Sequence, residues 1–329
     1  MMSKSEGSSY NRLWVRLPNW LGDVVMAAPI LRALRDEQPE AEITLLGQPA
    51  LAPLMERLEV SDQFIALPEK GTGYFRFFRG QRRSAPDACL LFTNSLRSDM
   101  EAFLAACPQR LGMRRRGKPR PLLTRSFKLA KDIDESEIHQ TKHWVQMVQS
   151  FGLATAPYYS PFSIADTKKS DMIGLICGTE NSPEKRWPIE RWRELIAELL
   201  AALPAYRIAL FGTPNDRQIT ARVSQGFDEN RVANLAGETN LVDFCDALNS
   251  CALVCCNDTG GMHLANLHGT PLVAVFGPTN PVRTGPVFEA DHVILQPEGC
   301  PPTGGMPIDG VSVQTCLDAM TDTLASNRL

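Results

Sequence analysis

Short unbroken apolar runs alternate along this chain with stretches of helical spacing. Arg12–Leu17 (RLWVRL) predicts a strand, closed by the turn Pro18-Asn19. Val24, Val25, Ala28, Leu31 and Leu34 then recur at helical intervals, and Pro39 ends that helix. Glu42–Leu46, Gln63–Leu67 and Ala88–Phe92 predict strands; Leu51–Leu58, Glu101–Ala106 and His139–Phe151 predict helices. Strands separated by helices of this length need crossover connections, and so form a parallel sheet.

Thr155–Lys169, rich in Pro, Tyr and Ser, predicts a linker, after which the rhythm restarts. Met172–Cys177, Arg207–Phe211, Val232–Asn234, Leu253–Cys256 and Leu272–Phe276 predict strands. Pro188–Leu203, Leu241–Asn249, Met262–His268 and Ser312–Leu324 predict helices, the first with proline where helix starts tolerate it. The fold class expected is α/β, two Rossmann-like parallel-sheet domains facing a central cleft, with ligands at the carboxyl ends of the strands. The expected plan is a disordered polar lead over 1–11, domains over 12–160 and 161–311, and a closing helix over 312–329.

Composition narrows the function. Lys plus Arg is 34 against 37 Asp plus Glu, a net charge of −3, which excludes a globally basic nucleic-acid binder. With 43% apolar and 22% charged residues, the chain is not disordered as a whole. No apolar run reaches the roughly 18–20 residues of a membrane span, and the lead has no apolar signal core, so a cytoplasmic protein is expected. The nine cysteines include no CxxC; buried reduced thiols are expected, since Cys300 and Cys316 lack the second close pair of a metal site.

Four segments carry candidate chemistry. In the loop after the first strand, Gly22 permits a tight turn, and Asp23 reads equally as a helix N-cap or as a carboxylate able to accept a proton. That loop lacks GxGxxG, which counts against a nicotinamide or flavin enzyme. The polar loop Cys177–Pro188 suits a pyrophosphate, or is a solvated loop. In Asn257–Ala265 two glycines and a helix start permit close approach of an anion, and Asp258 can accept from sugar hydroxyls; His263, one turn into the helix, also reads as a hydrogen-bonded buried histidine. Arg110–Lys131 holds nine cations and no acid, with Phe127 its sole aromatic. It is a solvated face or a site for a polyanion, and a phosphorylated lipid or anionic membrane surface fits better than nucleic acid.

Arg16–Pro29 (RLPNWLGDVVMAAP), Leu31–Leu46, Glu184–Pro188 (EKRWP), Leu235–Leu241 (LAGETNL) and Asn257–Pro281 together resemble glycosyltransferase family 9, the bacterial ADP-heptose:lipopolysaccharide heptosyltransferases. The KRWP and LAGET elements are most similar to the type II branch. The likeness runs over about residues 12–290; the basic stretch and the tail Gly299–Gly310 depart from it. It implies a GT-B fold and an inverting, metal-independent transfer of heptose from ADP-heptose to the inner core of lipopolysaccharide, with no cofactor. A GT-B transferase for another nucleotide sugar, or a non-catalytic sugar-nucleotide binder, are the alternatives. By the resemblance Asp23 is the catalytic base. Gly178, Thr179, Glu180, Ser182, Lys185, Asp258, Thr259, Gly260, Gly261 and His263 would bind the donor. Asn19, Trp20, Gly22, Asn94, Arg114, Arg115, Arg116 and Lys118 would bind the anionic acceptor, with peripheral contact at the inner membrane surface.

Overall fold

The computed structural model describes residues 10–130, 133–154, 156–162, 169–179 and 182–327. The chain divides into two compact units, Met1–Tyr158 and Tyr159–Leu329. In the first, strands β1 (Arg12–Arg16), β2 (Glu42–Gly47), β3 (Gln63–Ala66), β4 (Ala88–Leu91), β5 (Gln109–Arg114) and β6 (Arg125–Lys128) accompany helices α1 (Leu21–Glu37), α2 (Ala52–Arg57), α3 (Tyr74–Gly80), α4 (Leu96–Leu104) and α5 (Gln140–Ser150). In the second, β7 (Met172–Ile176), β8 (Arg207–Phe211), β9 (Val232–Asn234), β10 (Leu253–Asn257), β11 (Leu272–Val275) and β12 (His292–Leu295) accompany α6 (Ile189–Ala202), α7 (Arg217–Ser224), α8 (Leu241–Ser250), α9 (Gly260–Leu267), α10 (Pro281–Thr284) and α11 (Val313–Ser326).

Both sheets are parallel and wound alike. Their orders are β3-β2-β1-β4-β5-β6 and β12-β11-β10-β7-β8-β9. Each sheet therefore reverses its winding beside its first strand, between β1 and β4 and between β7 and β10. Outside the carboxyl ends of such a strand pair the two flanking loops diverge and leave room for a ligand. The central strands are apolar on both faces because helices cover both: Leu13, Val15, Leu90, Leu175 and Val254 are fully buried.

The structure amends several boundaries. The helix expected from Val24 begins at Leu21, with Trp20 as its N-cap and no side-chain cap bond. Asp23 lies within the first turn, so its capping alternative is removed. The helix expected from Met262 begins at Gly260, because the Thr259 side chain accepts from Gly261 N and caps it. The basic stretch contains two strands, β5 and β6. The β6 sequence RSFK is polar because it forms the sheet edge. Helices α3, α7 and α10 and strand β12 were not expected. Of the linker, residues 155 and 163–168 lie outside the described residues, as do residues 1–9 of the lead. Eight cysteines are buried and Cys300 is half-buried; all are free thiols. Burial pushes the Cys107 and Cys251 thiols up to about 12.

Candidate functional site

At the first reversal, the chain leaves β1 through Arg16, whose side chain is buried. Its Nε donates to Glu101 Oε2 at 2.8 Å, and its two terminal nitrogens donate to Leu17 O at 2.6 Å and Asn19 Oδ1 at 3.0 Å. Tyr74 Oη donates to the other Glu101 oxygen at 2.6 Å. This network holds the loop that leads into α1, and so the half-buried Asp23 at its start. The first turn of a helix favours negative charge. Sequence reasoning missed the network; its one sign was an arginine inside the apolar run RLWVRL.

The neighbouring loop, after β4, carries Asn94. Its Oδ1 accepts from Arg120 at 3.3 Å, and Arg120 also donates to Met113 O at 2.7 Å and to both oxygens of Asp99. The Arg120 and Asp99 side chains are only 3% and 0% exposed. Arg120 is therefore a structural cation, not part of a solvated or polyanion-facing run. Arg110 is likewise tied to Leu122 O and Cys107 O, and Arg115 to Gln140 and Glu135. Arg114, Arg116 and Lys118 are exposed at the exit of β5. Because the strands are parallel, Asn19, Trp20, Gly22 and Asp23 after β1, Asn94 after β4, and Arg114 to Lys118 after β5 all lie at one end of one sheet.

At the second reversal, Lys185 Nζ donates to Asp258 Oδ2 at 2.8 Å, with the two side chains 26% and 9% exposed. The pair spans the loops that follow β7 and β10. Their spacing is set by Asn257, whose Nδ2 donates to Cys177 O at 2.8 Å while its Oδ1 accepts from Trp187 N at 3.1 Å. Trp187 is anchored by donating to Val311 O at 3.0 Å and by packing edge-on against Trp192. Asn257 opens a segment that the sequence singled out, but its role in bracing the two loops was not expected. Arg186 latches the same loop, donating to Thr179 Oγ1 and O, and Thr179 Oγ1 donates to Ser182 O. Glu180 lies outside the described residues.

The glycines there serve packing. A Cβ on Gly178 would stand 2.0 Å from Asp216 Oδ1, and one on Gly261 would stand 2.5 Å from Ile176 Cδ1. His263 is buried within α9. The tail Gly299–Gly310 closes over the loop after β11: Gly305 N donates to Gly277 O at 2.9 Å, and Gly304, at φ +78°, fits where a Cβ would meet Thr279 O. Together these residues offer a lysine, a helix start at α9 and an acceptor carboxylate around an open strand end. That is the chemistry of a phosphate-bearing ligand with hydroxyls beside it. Among the described residues no three His, Cys, Asp or Glu side chains are grouped to hold a metal ion, and no helix is long and apolar enough to cross a membrane.

Residues 74–307 match the family model of glycosyltransferase family 9 (heptosyltransferase). The chain belongs to that family. This family 9 glycosyltransferase is 29% identical to lipooligosaccharide heptosyltransferase 2 of Haemophilus influenzae, over 86% of this chain and 88% of that one. It is 28% identical to lipopolysaccharide heptosyltransferase 2 of Escherichia coli, over 84% and 86%. The solved structure of E. coli ADP-heptose lps heptosyltransferase II superposes with a TM-score of 0.80 at 23% identity, covering 97% of this chain and 100% of that one. E. coli heptosyltransferase WaaC with ADP gives 0.75 at 18%, covering 95% and 99%. The fold is thus the GT-B fold of those enzymes, as the resemblance implied.

Proposed function

We propose that this glycosyltransferase moves heptose from ADP-heptose onto the inner core of lipopolysaccharide, by a single inverting displacement that uses no metal and no other cofactor. Family membership across residues 74–307 carries this reading, and two relatives of the chain bear the name heptosyltransferase 2. A solved relative holds ADP-2-deoxy-2-fluoro heptose, which supports a donor of that class. The reaction is placed in the cytoplasm, in peripheral contact with the inner membrane surface.

The proposed chemistry balances with one base. An acceptor hydroxyl attacks the anomeric carbon, its oxygen–carbon bond forming as the bond to the diphosphate breaks on the opposite face. The electron pair leaves with ADP, and the hydroxyl proton passes to the Asp23 carboxylate. Lys185, the loop Gly178–Ser182 and the α9 start receive the diphosphate charge as it develops. Asp258 accepts from donor hydroxyls. Arg114, Arg116 and Lys118 hold acidic groups of the acceptor, with Asn19, Trp20 and Asn94 beside them.

Asp23 lies ahead of the span matched by the family model, so its role needs its own test. Asp23→Asn should lower kcat by about 10²–10⁴-fold while leaving the Kd for ADP unchanged. Retained turnover would reduce Asp23 to a helix-start charge. Calorimetry with ADP, UDP and GDP should show binding of ADP alone; preference for another nucleotide would overturn the donor.

A further inference from the structure

A second surface of the first unit, formed by α3 and the outer face of α4, has the character of a lipid-docking face; at its border the Arg110 guanidinium lies over the Phe103 ring at 5.6 Å. Between Lys70 and Pro86 the chain holds five cations, Lys70, Arg76, Arg79, Arg82 and Arg83, and no acid. Helix α3 carries this segment and packs beside α4, and between them lies an open cavity of about 670 Å³. Phe75, Leu96 and Met100 line it, and Arg76, Arg79 and Arg97 stand around them. Phe75 is 41% exposed, Leu96 56% and, further along α4, Phe103 46%.

The acids of α4 do not offset this charge. Asp99 is buried against Arg120, and Glu101 against Arg16. Among the described residues no ion pair engages Arg76, Arg79 or Arg97; Arg97 instead lies over the Tyr74 ring at 5.8 Å. Burying the negative charges of α4 inward leaves its outer face purely cationic and apolar, on a chain whose net charge is −3. Apolar side chains ringed by arginines match a bilayer interface: the rings enter the headgroup boundary while the guanidinium groups meet lipid phosphates. A bilayer supplies both partners at once, phosphates for the arginines and an apolar boundary for Phe75 and Leu96, whereas a soluble sugar supplies no apolar counterpart.

We propose that the α3–α4 face docks this enzyme onto an anionic phospholipid bilayer. This rests on the reading of the protein as a transferase that meets its acceptor at a membrane surface, and it names the surface that makes that contact. Its residues, Phe75, Arg76, Arg79, Leu96 and Arg97, are different side chains from the acceptor groups at the exit of β5, Arg114, Arg116 and Lys118.

The test is flotation of the full chain with vesicles of phosphatidylethanolamine and phosphatidylglycerol, against vesicles of phosphatidylcholine alone. The wild type should float with the anionic vesicles only. Arg76→Ala with Arg79→Ala should lower partitioning about thirtyfold, each arginine near a charged bilayer contributing about a fivefold factor. Phe75→Ser should lower it further, and Arg114→Ala with Arg116→Ala should leave it unchanged. Transfer to a delipidated, soluble inner-core acceptor should persist in the α3 variants. Partitioning that ignores the α3 changes, or that is lost through Arg114 and Arg116, would overturn the proposal. So would loss of activity on the delipidated acceptor, which would make this face an acceptor contact. Sedimentation that shows a dimer dissolved by Phe75→Ser, without vesicle binding, would make it a self-association surface. Absence of heptose transfer by the wild type would defeat the functional reading while leaving flotation to be judged alone.

Discussion

Replacing Lys185 with alanine tests the donor half of the reading most directly. Its ammonium lies 2.8 Å from Asp258, with the lysine 26% and the carboxylate 9% exposed. Exposed ion pairs contribute about 0–1 kcal/mol, and breaking a fully buried pair costs about 3–5 kcal/mol. This pair sits between, so Lys185→Ala should cost about 2 kcal/mol of stability, or roughly 4–8 °C in Tm. Loss of a charge-assisted bond to phosphate should remove about 1.5–3 kcal/mol of binding, weakening ADP roughly 10- to 150-fold. The uncovered Asp258 charge would repel the diphosphate and act in the same direction. Asp258→Asn added to Lys185→Ala should therefore restore part of the loss. Calorimetry with ADP measures this, and adenosine serves as the control, since without phosphates it should bind both proteins alike. An unchanged Kd for ADP in a folded Lys185→Ala protein would refute the argument, as would an equal loss for adenosine.

Two further predictions concern the first unit. Arg120→Ala should destabilise it by about 3–5 kcal/mol in chemical denaturation, because Asp99 is left buried without its partner; Lys118→Ala should shift stability by no more than about 0.5 kcal/mol. Equal effects would mean the basic stretch is a single solvated face. Burial, and the bond it donates to Glu101, push the Tyr74 hydroxyl above its ordinary 10.0. With the folded value raised, the stability is fully present below pH 10 and is lost as pH rises, since the unfolded chain releases the proton first. Tyr74→Phe should flatten the fall of stability above that pH; identical alkaline denaturation profiles would count against the network.

Much of the fold could be read from local pattern. Apolar runs such as MIGLIC and LVAVF mark strands buried on both faces, and helical spacing across Val24–Leu34 marks a helix packed on them. Both depend only on a residue's nearest neighbours along the chain. Edge strand β6 escaped because an edge has one exposed border and no need for apolar residues. Helix α3 escaped because YFRFFRG places aromatics too densely to show a period. The motifs around Asp23, Lys185 and Asp258 were legible as loops that leave strands, but the pairing of Lys185 with Asp258 required the strand order of the second sheet.

What the sequence determined alone was the class of structure and the loops where chemistry sits, since burial periodicity and turn residues act locally. The tertiary structure decided which charges are partners. Arg120 lies in the same basic stretch as Arg114, yet sheet packing buries it against Asp99, 21 residues away, while Arg114 remains in solvent. Gly178 looks like a ligand loop glycine until Asp216 is found where its side chain would be. Packing between segments distant along the chain selects such pairs, and no local pattern encodes it.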